Sequence, residues 1–303
     1  MNTNAQGPFR GDVLQGKRIL VTGGGTGLGK EFSRTFSAHG AAVHICGRRR
    51  EVLEATVADL NATAAHGGSV HYHICDVRQP EQIDGMVDAI WKQGPLTGLI
   101  NNAAANFISP SAEISPRGFD AVRSTVLDGA LHSTLACGRR WIAQGLPGSV
   151  VSVLVTWIWT GSPFVLPSAM SKAALHAMTM SLAVEWGKHN VRVNAVAPGA
   201  FPTEGAWEKL APIPKANVGA ASDAQVPMGR YGRMSELCNL MLFLQADGTE
   251  YLTGQTIAID GGHHLAAPST FAEMEKMTAE DWAQARDIVR AKAVKEKAQR
   301  TQS

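Results

Sequence analysis

The chain is short of cysteine, of net charge and of long apolar runs. Cys46, Cys75, Cys137 and Cys238 are scattered, with no Cys-x-x-Cys pair. That pattern excludes a disulfide framework and suits free thiols in a reducing compartment. No pair of His, Cys or acidic residues shows ligand spacing, so no metal is expected. A net charge of +2 over 303 residues gives no general attraction to nucleic acid or an anionic membrane. The longest low-charge stretch, residues 149–170, is interrupted by Gly161, Pro163 and Pro167, well short of the roughly 20 apolar residues a membrane span needs. Residues 1–15 carry no apolar signal segment, and Thr301-Gln302-Ser303 is not a peroxisomal address. A cytoplasmic protein is expected.

What is present is an apolar run that breaks into glycines and resumes as a helix, from Arg18 to Phe36. Gly23, Gly27 and Gly29 fall where a strand-turn-helix needs positive φ, close approach to an anion and tight helix-on-strand packing. The free N–H groups at the new helix N-terminus make an electropositive seat for a pyrophosphate. A second buried strand, Ala42–Cys46, ends at Gly47-Arg48-Arg49-Arg50. A site selecting NAD would place an acidic residue here for the ribose 2′-hydroxyl. None occurs between His44 and Arg50, and Arg48 offers its planar cation to a 2′-phosphate instead. The cofactor expected is NADP(H), with Arg50 left as a solvated charge.

Further strands are expected at Val70–Ile74, Leu99–Ala104, Ser149–Val155, Val191–Ala197 and Thr256–Ile259. Asp76, after the third, would accept from adenine or cap a helix beginning near Glu81. Asn102 and Ala103 close the fourth strand, where Asn102 would hold backbone or touch ligand, and Asn106 lies far enough out to reach a substrate. One long helix is predicted over Pro116–Gln144. Another begins near Ser168 and places Ser168 and Lys172 on one face. His132 and His176 fall in these helices as core or surface residues. Residues 200–227 form a long irregular segment in which Phe201, Trp207 and Leu210 would supply an apolar lid. Alternation of strand and helix predicts an α/β class: one doubly wound domain over residues 16–264, with a seven-stranded parallel sheet and helices on both faces. An N-terminal extension, 1–15, precedes it. A basic helical extension, 265–303, follows it and is expected to dock on its own or a neighbouring subunit.

Together, Thr22-Gly23-Gly24-Gly25-Thr26-Gly27-Leu28-Gly29, Asp76, Asn101-Asn102-Ala103, Lys172, Pro198-Gly199 with Thr203, and Asp260-Gly261-Gly262 resemble the short-chain dehydrogenase/reductase family over Gln15 to about His264. The resemblance implies a Rossmann-type domain and a homo-oligomer, dimer or tetramer. It implies cofactor contacts from Gly23, Thr26, Gly27 and Leu28, from Arg48, from Asp76 and Val77 at adenine, and from Asn102 and Ala103. Lys172 would hold the nicotinamide ribose, and Pro198, Gly199 and Thr203 the carboxamide side.

The family's catalytic pattern departs here. Its tyrosine position is Ser168, its serine falls at Leu154 or Val155, and its asparagine near Val126. Loss of the general acid removes something like 100 to 10,000-fold in carbonyl reduction. Among branches, Asn101 to Pro110, Pro167-Ser168-Ala169 with Lys172, and Thr203 to Trp207 resemble the NADPH-dependent 2,4-dienoyl-CoA reductases. That implies hydride delivery to a conjugated acyl-CoA thioester, Asn106 donating to the thioester oxygen, and Ser168 and Lys172 positioning the cofactor. Trp157, standing where mitochondrial-type members have tyrosine, would donate to the enolate or only narrow the pocket. Lys209, Lys215, Arg230 and Arg233 are candidates for the CoA phosphates. Two alternatives stand beside this: a non-catalytic NADP(H)-binding regulator or scaffold, and a carbonyl reductase with a displaced acid. Tyr72, Tyr231 and Tyr251 offer no tyrosine near the site by sequence order.

Overall fold

The computed structural model describes residues 8–202, 223–266 and 278–281. The chain divides into two compact units, Met1–His264 and Leu265–Ser303. In the second, Thr278 and Asp281 cap one turn: the Asp281 carboxylate accepts from the Thr278 amide at 2.8 Å, and the Thr278 hydroxyl from the Asp281 amide at 3.2 Å.

The first unit is built on seven parallel strands: β1 (Arg18–Thr22), β2 (Ala42–Gly47), β3 (Ser69–Ile74), β4 (Gly98–Asn101), β5 (Gly148–Val153), β6 (Val191–Pro198) and β7 (Thr256–Ile259). They lie in the order β3-β2-β1-β4-β5-β6-β7. β4 and β5 are buried along their whole length, covered on both faces as parallel strands are. The helices between them are α1 (Gly27–Ala38), α2 (Arg50–Asn61), α3 (Pro80–Trp91), α4 (Pro116–Arg123), α5 (Gly129–Gln144), α6 (Trp157–Thr160), α7 (Leu166–Trp186) and α8 (Met234–Gln245), and the one-turn α9 (His263–Ala266) follows β7.

Each sheet face buries its own core. Ile19, Val21 and Ile45 pack with Phe32 and Phe36 of α1 and Leu237 and Met241 of α8. Leu20, Leu99 and Val150 pack with Ile83 and Val87 of α3, Trp141 of α5 and Trp186 of α7. Phe9 and Val13 pack against the first core, and Leu14 is fully buried in it.

Three sequence expectations change. The helix expected over Pro116–Gln144 is broken by a π-turn, Ser124–Asp128, which carries Gly129 against Val77: a β-carbon there would come within 2.8 Å of Val77 Cγ2. The fifth strand stops at Val153 and not at Val155, although the Leu154 amide still donates to the Val196 carbonyl at 2.7 Å. Phe201 lies in the core, with its ring against Gly232, and is no part of a covering surface.

Candidate dinucleotide cleft and active site

Strand order reverses between β1 and β4, and in open parallel sheets a crevice forms at such a point beyond the carboxyl ends of the strands. A cleft of about 180 Å³ lies there, bounded by the β1–α1 turn, the ends of β2 and β3 and the start of the β4 loop. Gly23 and Gly27 take φ of 66° and 55°, which side-chain-bearing residues rarely adopt. Gly29 is fixed by packing: a β-carbon would fall 2.5 Å from both Asn102 Nδ2 and the Gly23 carbonyl oxygen. Thr26 precedes α1 without capping it through its side chain, so the first-turn amides are open to a ligand. Leu28, half-buried, packs against the β1 side of the core.

Around this turn the expected residues divide by role. Asn102 Nδ2 donates to the Thr22 carbonyl at 3.0 Å and to Gly23 at 3.2 Å, and the amides of Asn102 and Ala103 both donate to Thr22 Oγ1. Asn102 therefore braces the glycine turn, while Ala103 lines the cleft. Arg48 also lines the cleft and has no hydrogen bond or ion pair among the described residues, whereas Arg50 donates to Tyr72 Oη at 3.3 Å. Arg49, which precedes α2, lines the cleft as well. Val77 and Asp76 form the opposite wall.

Asp76 does not cap a helix. Gln79 occupies the position before α3, and the Asp76 carboxylate accepts from Arg78 Nε at 2.9 Å and from the Arg78 amide at 3.1 Å. The Arg78 guanidinium holds it below the usual carboxylate range. Open helix amides, an unpaired arginine at the second strand and a glycine turn with no room for a β-carbon at Gly29 fit a dinucleotide.

Beyond the cleft, α7 presents Ser168 and Lys172, both buried. Lys172 Nζ donates to the Val153 carbonyl, and burial pushes the ammonium down to about 8. Val126 and Leu154, the positions expected to depart from the family pattern, share one apolar cluster with Leu175, Ala195 and Ala197, against which Phe107 and Ile158 pack. Trp157 opens the one-turn α6 and is half-buried. Asn106 is exposed on the β4 loop, and its Oδ1 accepts from the Phe107 amide at 3.0 Å, leaving Nδ2 as its donor end. Pro198 ends β6, and the Gly199 amide donates to Ile259 at 3.0 Å; a β-carbon on Gly199 would strike Asp260 Cβ at 2.6 Å. Thr203, Trp207, Lys209, Leu210 and Lys215 lie outside the described residues.

Arg230 and Arg233 share one acidic partner. Both ion-pair with Glu236, at 2.8 and 3.0 Å, and those partners hold its carboxyl down to about 2. His176 donates to or accepts from Thr256 Oγ1 at 2.9 Å.

Three groups carry contacts that the sequence reading did not assign. Cys46 and Cys75 line the cleft. Asn101, at the end of β4, donates to Thr134 Oγ1 at 2.8 Å and Ser152 Oγ at 3.3 Å, and its buried Oδ1 has no partner among the described residues. Trp159 stacks on His264 at 4.9 Å between ring centroids, and His264 Nδ1 pairs with Asp260 Oδ2 at 2.7 Å. The Asp260-Gly261-Gly262 motif and the four-residue spacing of Asp260 and His264 are the sequence signals for the last.

The description of the family model that matches residues 23–264 is enoyl-(acyl carrier protein) reductase. An uncharacterized oxidoreductase of Caenorhabditis elegans is 41% identical over 94% of this chain and 91% of its own length. A probable 2,4-dienoyl-CoA reductase of the same organism, named as (3E)-enoyl-CoA-producing, is 37% identical over 95% of this chain and 94% of its own length. Among solved structures, a short chain dehydrogenase from Bacillus anthracis superposes with a TM-score of 0.73 at 34% identity, covering 82% of this chain and 96% of that one.

Proposed function

The chain belongs to the short-chain dehydrogenase/reductase family, and on that premise we propose that it is an NADPH-dependent reductase of a conjugated enoyl- or dienoyl-CoA thioester. The observation that carries this is the apolar cluster at Val126 and Leu154, beside a buried Lys172 and with Ser168 in the tyrosine position. A carbonyl reduced to an alkoxide needs a proton from a strong enough acid as the hydride arrives. A conjugated thioester does not, because charge spreads onto the thioester oxygen and along the conjugated carbons. The site must then donate hydrogen bonds to that oxygen.

When bound, the dihydronicotinamide supplies the hydride. The α1 amides and Arg48 would hold the phosphates of the dinucleotide, and Lys172 and Ser168 would orient its nicotinamide ribose. Asn106 Nδ2 donates to the thioester oxygen, and the Trp157 indole N–H is a second donor that cannot act as an acid. Carbon protonation then comes from water, with Lys172 feeding the proton chain. The relative named as a 2,4-dienoyl-CoA reductase supports this substrate class. Two of the three tyrosines are placed away from an acid's role: Tyr72 Oη donates to Glu54 Oε1 at 2.7 Å, and Tyr251 is fully exposed. Four buried free thiols suit a reducing, cytoplasmic setting.

The test follows NADPH oxidation with 2,4-hexadienoyl-CoA and a longer dienoyl-CoA beside a panel of ketones and aldehydes. Turnover of the dienoyl thioesters alone is expected, with Trp157→Phe lowering kcat. Arg48→Ala should narrow the preference for NADPH over NADH by about tenfold, the effect of losing one charge-assisted contact. Carbonyl turnover would overturn the substrate class, and silence on every substrate while NADPH binds would favour a non-catalytic dinucleotide-binding role.

A further inference from the structure

We propose that Arg78 sets the preference for the phosphorylated dinucleotide without touching it: by occupying the Asp76 carboxylate, it keeps Arg48 free for the 2′-phosphate. The inference rests on the NADP(H) reading of the cleft and concerns how that preference is held.

Asp76 is the one acidic residue among the described residues that line the cleft, and it shares that cleft with Arg48 and Arg49. Strand register brings the acid and the first arginine together. Gly47 pairs with Ile74 at the ends of β2 and β3, and the Cys75 amide donates to the Gly47 carbonyl at 2.9 Å. Arg48 follows Gly47 and Asp76 follows Cys75, on strands that run about 4.8 Å apart. An arginine side chain is long enough to span that gap.

Arg78 stands in the way of that pairing. Its Nε donates to Asp76 Oδ1 at 2.9 Å and to Oδ2 at 3.0 Å, its Nη2 donates to Oδ2, and its amide donates to Oδ1 at 3.1 Å. Each carboxylate oxygen thus accepts twice, which fills the roughly four acceptor positions of an ionised carboxyl. The backbone is fixed as well, because the Asp76 amide donates to Gln82 Oε1 at 2.9 Å. Arg78 first, and Arg48 to a lesser degree, hold the Asp76 carboxyl below the usual carboxylate range. Arg48 keeps its own donors, with no hydrogen bond or ion pair among the described residues.

Without the Arg78 side chain, an ionised carboxylate with empty acceptor positions faces an unpaired guanidinium, and the two close into a planar, two-bond pair. That pair takes the fork a 2′-phosphate would use. NADH carries a hydroxyl at this position and makes no demand on Arg48, so the loss falls on NADPH. A direct contact of Arg78 with the phosphate would give the same loss, and Asp76 separates the two cases. Neutralising Asp76 frees Arg48 again only if Asp76 is what captured it.

The experiment titrates the full chain with NADPH and with NADH by calorimetry and reads the ratio of the two affinities, with thermal unfolding of each cofactor-free variant as the check on folding. Arg78→Ala should narrow the ratio about tenfold, the effect of losing one charge-assisted contact, while NADH affinity changes by less than about twofold. Asp76→Asn added to Arg78→Ala should restore the ratio to within about threefold of wild type, and on an Arg48→Ala background Arg78→Ala should no longer move it. Arg78→Lys, which keeps a charge beside Asp76, should hold the ratio nearer to wild type than Arg78→Ala does. If Arg78→Ala fails to fold, Arg78→Gln carries the same test. A wild-type preference for NADPH that Arg78→Ala leaves intact, affinities for both dinucleotides that fall together, or a loss that Asp76→Asn does not relieve would each overturn the inference while the NADP(H) reading stands. A wild-type chain that binds NADH as tightly as NADPH would overturn that reading, and the inference with it.

Discussion

Lys172 keeps its ammonium where almost nothing solvates it except the Val153 carbonyl, and burial pushes it from 10.5 to about 8. Below pH 8 the group is charged in both folded and unfolded chains, and the folded chain bears the desolvation penalty of roughly 3 kcal/mol. Lys172→Met removes that penalty and loses one hydrogen bond, worth about 1 kcal/mol. The cofactor-free variant is expected to be about 2 kcal/mol more stable than the wild type at pH 7 by urea unfolding, and without turnover. Between about pH 8 and 10.5 the folded wild-type lysine deprotonates while the unfolded one does not, so the gap between the two proteins should close. A variant less stable than the wild type at pH 7 would mean that the ammonium is not desolvated.

His44 is the second buried base. Its ring centroid is 5.2 Å from those of both His71 and His73, with Nδ1 2.9 Å from His73 Nε2 and Nε2 3.4 Å from Arg18 Nη1. Burial first, then the charges of His73, His71 and Arg18, push it down to about 3. A base lowered in the folded state stays neutral there while the unfolded chain takes up its proton, so stability is complete above about pH 6.5 and falls as pH drops toward 3. Wild type should lose about 2 kcal/mol between pH 7 and pH 5 through this residue, and His44→Leu should show a shallower loss over the same range. Equal slopes in urea unfolding would remove His44 from the account.

At the scale of elements, the β1–α1 turn separates two reasons for glycine. Gly27 has positive φ and nothing within 4 Å of a β-carbon, so Gly27→Ala meets only a backbone cost of about 1 to 2 kcal/mol. Gly29 has no such freedom: its β-carbon would strike the Gly23 carbonyl and Asn102 together. Gly29→Ala should cost more stability than Gly27→Ala and weaken NADPH binding at least tenfold by shifting the α1 amides, read by calorimetric titration and thermal unfolding. Equal affinity in wild type and Gly29→Ala would show that the α1 N-terminus does not seat the pyrophosphate.

This turn was legible in sequence because glycine alone tolerates its backbone, and the strands were legible because each carries a short apolar stretch that alternates along the chain with helical segments. The π-turn was not. Ser124–Asp128 has ordinary helical composition, and only the contact of Gly129 with Val77, 52 positions earlier, shows where the extra residue is accommodated. Phe201 misled for the same kind of reason, since an apolar residue in an irregular segment reads alike whether it covers a site or fills the core at Gly232. Arg230 and Arg233 read as available cations until Glu236 is placed between them.

For the whole molecule, the unresolved balance lies on α7, whose inner face holds Lys172 while its outer face carries apolar side chains into solvent. Ala173, Ala177, Met180 and Val184 recur at helical spacing, with Met180 44% and Val184 87% exposed. Scattered exposed apolar residues are ordinary, but a stripe along one helix face is a surface that association would bury. Burying a valine side chain contributes about 1.5 kcal/mol or more, and a twofold arrangement counts each such residue twice. The homo-oligomer expected from the family resemblance would use this stripe against its copy. Met180→Glu with Val184→Glu, neither of which touches the cleft, should convert an oligomer to monomer by light scattering while leaving the cofactor-free fold intact by circular dichroism. A wild-type chain already monomeric at micromolar concentration would refute that arrangement, and a double variant still oligomeric would move the interface to another face.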